Sequence, residues 1–167
     1  DEEFDLSSQR GEKQDVLAVP GEKVDHKGLV INPTPHDLKL NASKTINVKQ
    51  WFKFDDKKKC FANQLPTLEG SGIVVNKKGV KLTVDFNAKK AVAKGVKAVS
   101  GGYSMTIDNK GVSILGYDER GAFYGLQTLR QIMESPVGKS GKVPYMTICD
   151  YPDLENRGVV EGFYGTP

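Results

Sequence analysis

Residues 102–135 read GYSMTIDNKGVSILGYDERGAFYGLQTLRQIMES, and this stretch decides the fold. Tyr103, Met105 and Ile107 alternate with Ser104 and Thr106, the period of a strand with one wet face. Asp108-Asn109-Lys110-Gly111 then supplies turn chemistry, and Val112 and Ile114 mark one face of a return strand, so a hairpin is expected. Asp118 comes next as a helix N-cap, with Glu119 at the positive end of the helix dipole. Ala122, Leu126, Leu129 and Met133 form an i, i+4, i+7, i+11 stripe, with Phe123 and Ile132 beside it. Gly121 and Gly125 share one helix face. Each costs about 1 kcal/mol against alanine in a helix interior, so the pair points to tight packing on a sheet.

Working downstream, SPVGKSGK is a loop and VPYMTICDYP a short strand entered by Pro144. DYPDLENRG is a connector, and VVEGFYG one more strand. Upstream, GIVVNKKGVKLTVDF predicts a second hairpin turning at Asn76–Gly79, with Val80, Leu82, Val84 and Phe86 facing one way. NAKKAVAKGVKAVSGG has helical composition interrupted by Gly95, so a helix and a long loop with a helical turn both fit. KTINVKQWFKF looks extended, and DDKKKCFANQLPTL suggests a short helix capped by Asp55 or Asp56 and ended by Pro66. Leu29, Val30 and Ile31 form a short apolar run stopped by Pro33 and Pro35. Together these elements make an α+β layer, a mainly antiparallel sheet with one or two helices packed on one face.

The chain has 167 residues and a net charge of +3, with 38% hydrophobic and 27% charged residues, enough for one domain with a core. Residues 1–27 hold eight acids and four bases, whereas the rest holds thirteen acids and twenty bases. Residues 1–27 are expected to be a flexible acidic arm or linker, because so apolar-poor a stretch buries too little to offset its ordering. No run approaches the ~20 apolar residues of a membrane helix, and no signal peptide is visible at the acidic start DEEFDLSSQR. Cys60 and Cys149 lack metal-like spacing and read as two separate thiols.

Several chemistries are excluded by what is missing. The two histidines, His26 and His36, sit among polar residues without an H-E-x-x-H pattern, so no zinc site is expected. There is no G-x-S-x-G, no P-loop and no dinucleotide fingerprint. No cofactor and no nucleic-acid partner are expected. Lys77, Lys78, Lys81, Lys89, Lys90, Lys94 and Lys97 fall in a stretch whose one acid is Asp85, a candidate surface for acidic glycans. Its plainer reading is a solvated face that keeps a sheet edge soluble. Paired carboxylates drive most sugar hydrolysis, and Asp150, Asp153, Glu155 and Glu161 cluster in sequence. Asp150 and Asp153 bracket Tyr151-Pro152, where turn chemistry accounts for them. Glu161 lies in an apolar strand, where its charge needs a partner.

At DERGAFYGLQTLRQIM and CDYPDLENRGVVEGFYGTP the chain resembles the family 84 glycoside hydrolases, retaining β-N-acetylglucosaminidases that include O-GlcNAc hydrolases and clostridial-type hyaluronidases. The helix motif resembles that of the domain preceding the catalytic barrel there, and a related helix precedes the barrel in family 20 hexosaminidases. The tail Arg157–Pro167 resembles the first barrel strand of family 84. The resemblance implies a parent enzyme using substrate-assisted chemistry, in which the 2-acetamido oxygen of the sugar attacks the anomeric carbon. The two adjacent aspartates that serve this chemistry in the family have no counterpart here, since Asp55-Asp56 lies far upstream of the barrel strand. One substrate-binding position carries over, Gly162, where a missing side chain lets a sugar ring lie on backbone.

The expectation is therefore an arm over residues 1–27, an α+β domain over 28–156, and the first strand of a (β/α)8 barrel over 157–167, cut just inside that barrel. The chain itself should be an inactive, non-catalytic scaffold whose partner is the barrel of the same parent. The alternative is a glycan- or surface-binding module using its lysine hairpins. For a bacterial source, the resemblance also implies export.

Overall fold

Alternation along the strands accounts for one continuous core. The computed structural model describes residues 14–16, 24–26, 28–49, 51–61, 63 and 74–153. Ten strands run β1 (Gln14–Val16), β2 (Val24–His26), β3 (Leu29–Ile31), β4 (Asp37–Asn47), β5 (Trp51–Asp56), β6 (Val74–Val75), β7 (Val80–Phe86), β8 (Tyr103–Asp108), β9 (Gly111–Gly116) and β10 (Lys142–Asp150). Among the described residues the helices are α1 (Ala88–Ala93), α2 (Glu119–Glu134) and α3 (Pro136–Ser140). Eight strands form one sheet in the order β1-β4-β10-β8-β9-β7-β5-β6, and β2 pairs with β3.

The register puts the apolar set on one side of the sheet. Leu38 and Leu40 lie opposite Ile148 and Met146, which lie opposite Met105 and Ile107. These meet Ile114 and Val112, and then Val84 and Leu82. All ten are buried in a single cluster with Ala122, Leu126, Leu129, Ile132 and Met133 of α2. The opposite face carries Lys39, Thr147, Thr106, Ser113 and Thr83 in one row across five strands. Because the side-chain period of a strand is two, the residues of this row alternate with the apolar set along each strand.

The helix over 119–134 forms as its pattern predicts, with the Asp118 side chain accepting from the Gly121 N–H. Its two glycines do what the sequence implied. A Cβ on Gly121 would run into the Gly102 carbonyl, and one on Gly125 would run into the Ile114 side chain. The backbone of α2 therefore lies directly on the sheet. The Tyr103 hydroxyl, buried in that contact, is 2.6 Å from Thr128 Oγ1, and burial raises its pKa. Helix α3 packs on the same side, its Val137 N–H donating to the Gly28 carbonyl and Val137 touching the core cluster. Helix α1 is short, capped by Asn87 and followed by Gly95 at φ +91°.

The sheet is mainly antiparallel, as expected: β1–β4, β4–β10, β10–β8 and β8–β9 pair antiparallel, while β9–β7, β7–β5 and β5–β6 are parallel. Other expectations change. The 74–86 stretch does not pair with itself. Asn76–Gly79 does turn, with the Gly79 N–H on the Asn76 carbonyl, yet β6 and β7 flank β5 on opposite sides. Turn chemistry reports a reversal or a crossing, not which strand is the partner. The helix expected at Asp55 or Asp56 is replaced by strand β5 through Asp56 and a turn, in which Asp56 accepts from the Cys60 and Phe61 N–H groups. The rest of that expected helix, through Pro66, lies largely outside the described residues. Within 1–27, β1 pairs with β4 and β2 with β3, so those two segments join the folded domain rather than a linker. The hairpin at 108–111 is as expected, with Asp108 opposite Gly111.

Candidate functional site

Among the described acidic groups, most are already taken up by the fold. Asp118 Oδ1 accepts from the Gly121 and Gly101 N–H groups at 3.0 Å each, and Oδ2 from the Ser100 hydroxyl at 2.6 Å. Burial pushes this carboxyl up, but the three donors outweigh it and hold it below its ordinary value. Asp85 behaves alike: burial raises it, while Lys58 at 2.9 Å and the Phe86 N–H bring it lower overall. Asp55 pairs with Lys57 at 2.7 Å, and Asp108 accepts from the Lys110 N–H. These are structural acceptors, not an acid and a base flanking an open space.

The thiols are equally unsuited to nucleophilic work. Cys60 and Cys149 are both free, as expected of two separate thiols. Burial first, then nearby Glu119 and Asp56, push the Cys60 thiol up; burial, then Asp37, do the same for Cys149. A thiol held protonated is a poor nucleophile and a poor metal ligand. Cys60 borders an open cleft of about 320 Å³ with Phe61, Asn63, Glu119, Arg120 and Phe123. Among the described residues, no group of three or more His, Cys, Asp or Glu side chains is placed to hold a metal ion, and no helix is long and apolar enough to cross a membrane.

The densest polar constellation lies where the chain leaves the sheet. Cys149 is opposite Asp37 in the ladder, so the next residues, Asp150 and His36, come side by side. The His36 N–H donates to Asp150 Oδ1 at 3.0 Å, and His36 Nδ1 is 2.6 Å from the same oxygen. The imidazole stacks on the Tyr151 ring, with centroids 3.9 Å apart and planes inclined by 14°. Lys97 Nζ sits 4.4 Å from the centroid of Tyr151. Pro152 lies against Gly101, where a Cβ would come within 2.6 Å of the proline ring. A histidine held by a carboxylate has the form of a base and its orienter, but Asp150 and His36 face an aromatic stack and a lysine instead of a nucleophile.

Sequence reasoning placed Asp150 in a turn and left His36 unassigned. Their meeting depends on the β4–β10 register over 114 residues of separation, and no local pattern carries it. The seven lysines do not form one patch. Lys77, Lys78 and Lys81 precede or begin β7, and Lys89, Lys90, Lys94 and Lys97 come after its end, with a strand of about 20 Å between the groups. Lys97 is engaged with Tyr151. Asp153 is exposed; Glu155, Glu161, Gly162 and the strand expected over 157–167 lie outside the described residues.

A mixed sheet backed by a close-packed helix defines an α+β domain. Comparison with known proteins identifies the kind. Residues 30–151 match the model of Glycosyl hydrolase family 20, domain 2, and the chain belongs to that family. It is 31% identical over 137 residues to a beta-hexosaminidase of Vibrio vulnificus, covering 77% of this chain and 14% of that protein. The chain thus spans about a seventh of that relative. Among solved structures, CpGH84B superposes with a TM-score of 0.53 at 20% identity, over 72% of this chain and 22% of that one. The beta-N-acetylhexosaminidase from Bacteroides fragilis NCTC 9343 superposes with a TM-score of 0.52 at 16% identity, over 72% and 24%. These likenesses show a shared fold, α+β as expected. The family match, not the shared fold, corrects the family: the domain is family 20's domain 2, and the family 84 likeness of the tail concerns residues beyond the match.

Proposed function

We propose that this chain is the non-catalytic domain that precedes the barrel in a retaining β-N-acetylglucosaminidase, and that it acts as a scaffold on which the barrel is seated. The observation that carries the reading is the family match over 30–151. Shortly after it comes Arg157-Gly-Val-Val-Glu-Gly-Phe-Tyr-Gly, which resembles a first barrel strand of family 84. The carboxylates of Asp55, Asp56, Asp85, Asp108 and Asp118 support it, because they serve a cap, turns and ion pairs. In this reading the parent removes terminal β-linked N-acetylglucosamine by substrate-assisted chemistry, with Gly162 lying against the sugar. The residues that the parent carries after Pro167 decide whether its barrel is of the family 84 or the family 20 kind. An adjacent Asp-Asp pair at the end of an apolar strand, within the next 200 or so residues, is the expected finding for family 84. A continuation with no alternating strands and helices would overturn the reading.

A further inference from the structure

We infer that His36, Asp150 and Lys97 form an exit clamp, a set of positioning residues that fixes the direction in which the chain leaves the sheet toward residues 157–167. The inference rests on the functional reading above only in naming what lies beyond the exit.

The contacts are unusually concentrated for a strand end. Asp150 is held through one oxygen by both the backbone and the ring of His36. Tyr151 is covered on one face by that ring at 3.9 Å. With that face occupied, the Lys97 ammonium at 4.4 Å reaches the ring from the other, so Tyr151 is sandwiched. Pro152 is seated on Gly101, whose φ of +89° and lack of a side chain open the space. Pro152 also restricts Tyr151 to extended backbone. Gly101 is itself tied to Asp118, the cap of α2.

Two separate loops therefore converge on three consecutive residues: the one before β4, through His36, and the one between α1 and β8, through Lys97 and Gly101. None of this is needed to close the core. His36 and Asp150 are 27% and 24% exposed, and neither belongs to the apolar cluster. An ordinary strand end frays within a residue or two, because its backbone groups can bond to water. Here the chain is gripped through the carboxylate of Asp150, which still pairs with Tyr103 in the ladder, and past the ladder on the ring of Tyr151 and at Pro152. The physical outcome is a fixed departure vector from a rigid sheet, which a domain needs if it is to seat a second one at a defined angle.

The test is ¹⁵N relaxation on the whole 167-residue chain. In the unaltered protein the amides of Tyr151 and Asp153 should show order parameters near about 0.85, like the sheet. In the double variant H36A/K97A they should fall below about 0.6, while the amides of β8 and β9 stay as they were. H36N keeps a side-chain donor to Asp150 without the ring, and H36F keeps the ring without the side-chain donor, the backbone N–H donor being common to all. Each should restore part of the loss, which a merely structural role would not predict. K97A alone, at an exposed position, reads the same effect in smaller measure if the double variant does not fold. Order parameters already below about 0.6 in the unaltered chain would overturn the proposal. So would variants that leave 151–153 unchanged, or loosen every amide together. Absence of glycosidase activity in a barrel-bearing parent would sink the functional reading and leave these order parameters untouched.

Discussion

The two halves of the sheet obey the same alternation yet differ in how their partners are chosen. In the antiparallel half, β8 and β9 are joined by a two-residue loop between Asp108 and Gly111, so the pairing is written into adjacent residues. In the parallel half, β5 lies beside β7, and β7 beside β9, although other segments intervene in the chain. Parallel neighbours need a crossover, so their pairing is settled by which faces can share one core, not by the turn between them. Both halves nevertheless contribute to one cluster, from Leu38 in β4 to Phe52 in β5.

The largest effect is expected where the halves are clamped together by α2. Gly121→Val puts a branched side chain into the Gly102 carbonyl, backbone against backbone, and should cost more than about 3 kcal/mol in urea unfolding. Next come matched truncations in the two halves. Leu129→Ala, on the helix that covers the sheet, and Leu82→Ala, in the parallel half, should each cost about 2–5 kcal/mol, with a single transition in both cases. A biphasic transition for Leu82→Ala would break the comparison by showing that the parallel half unfolds alone.

A smaller loss is expected at the helix cap. Asp118→Ala removes the acceptor for Gly121 and Gly101 and should cost about 1–2 kcal/mol. The same contacts set the sign with pH. Asp118 and Asp85 are held below their ordinary value in the fold, so their contribution is present above about pH 4 and is lost as pH falls through the lower folded values. The thermal midpoint of the native chain should therefore drop below about pH 4, and Asp118→Asn should flatten part of that drop. The smallest effect is expected at the parallel edge, where Val75→Lys, already 37% exposed, should stay within about 0.5 kcal/mol.

Legibility in the sequence divides along the same line. The α2 helix, its Asp118 cap, its glycine face and the β8–β9 hairpin were legible because each is specified within a few residues of itself. The buried face of β7 was legible from alternation, and β10 was legible as a strand entered by Pro144. The β6–β7 arrangement was not, since Asn76–Gly79 makes the same turn whether its strands pair together or flank a third. Nor was β5's run through Asp56, where the carboxylates that suggested a cap serve a turn instead. The exit clamp was illegible because His36 and Asp150 meet only through the β4–β10 register.

The most direct test of the scaffold reading is one assay, in which the purified 167-residue chain and the proposed barrel-bearing parent are each given an aryl β-N-acetylglucosaminide at equal concentration. Hydrolysis by the parent with none above buffer by the chain is the predicted result. Turnover by the chain itself would contradict it.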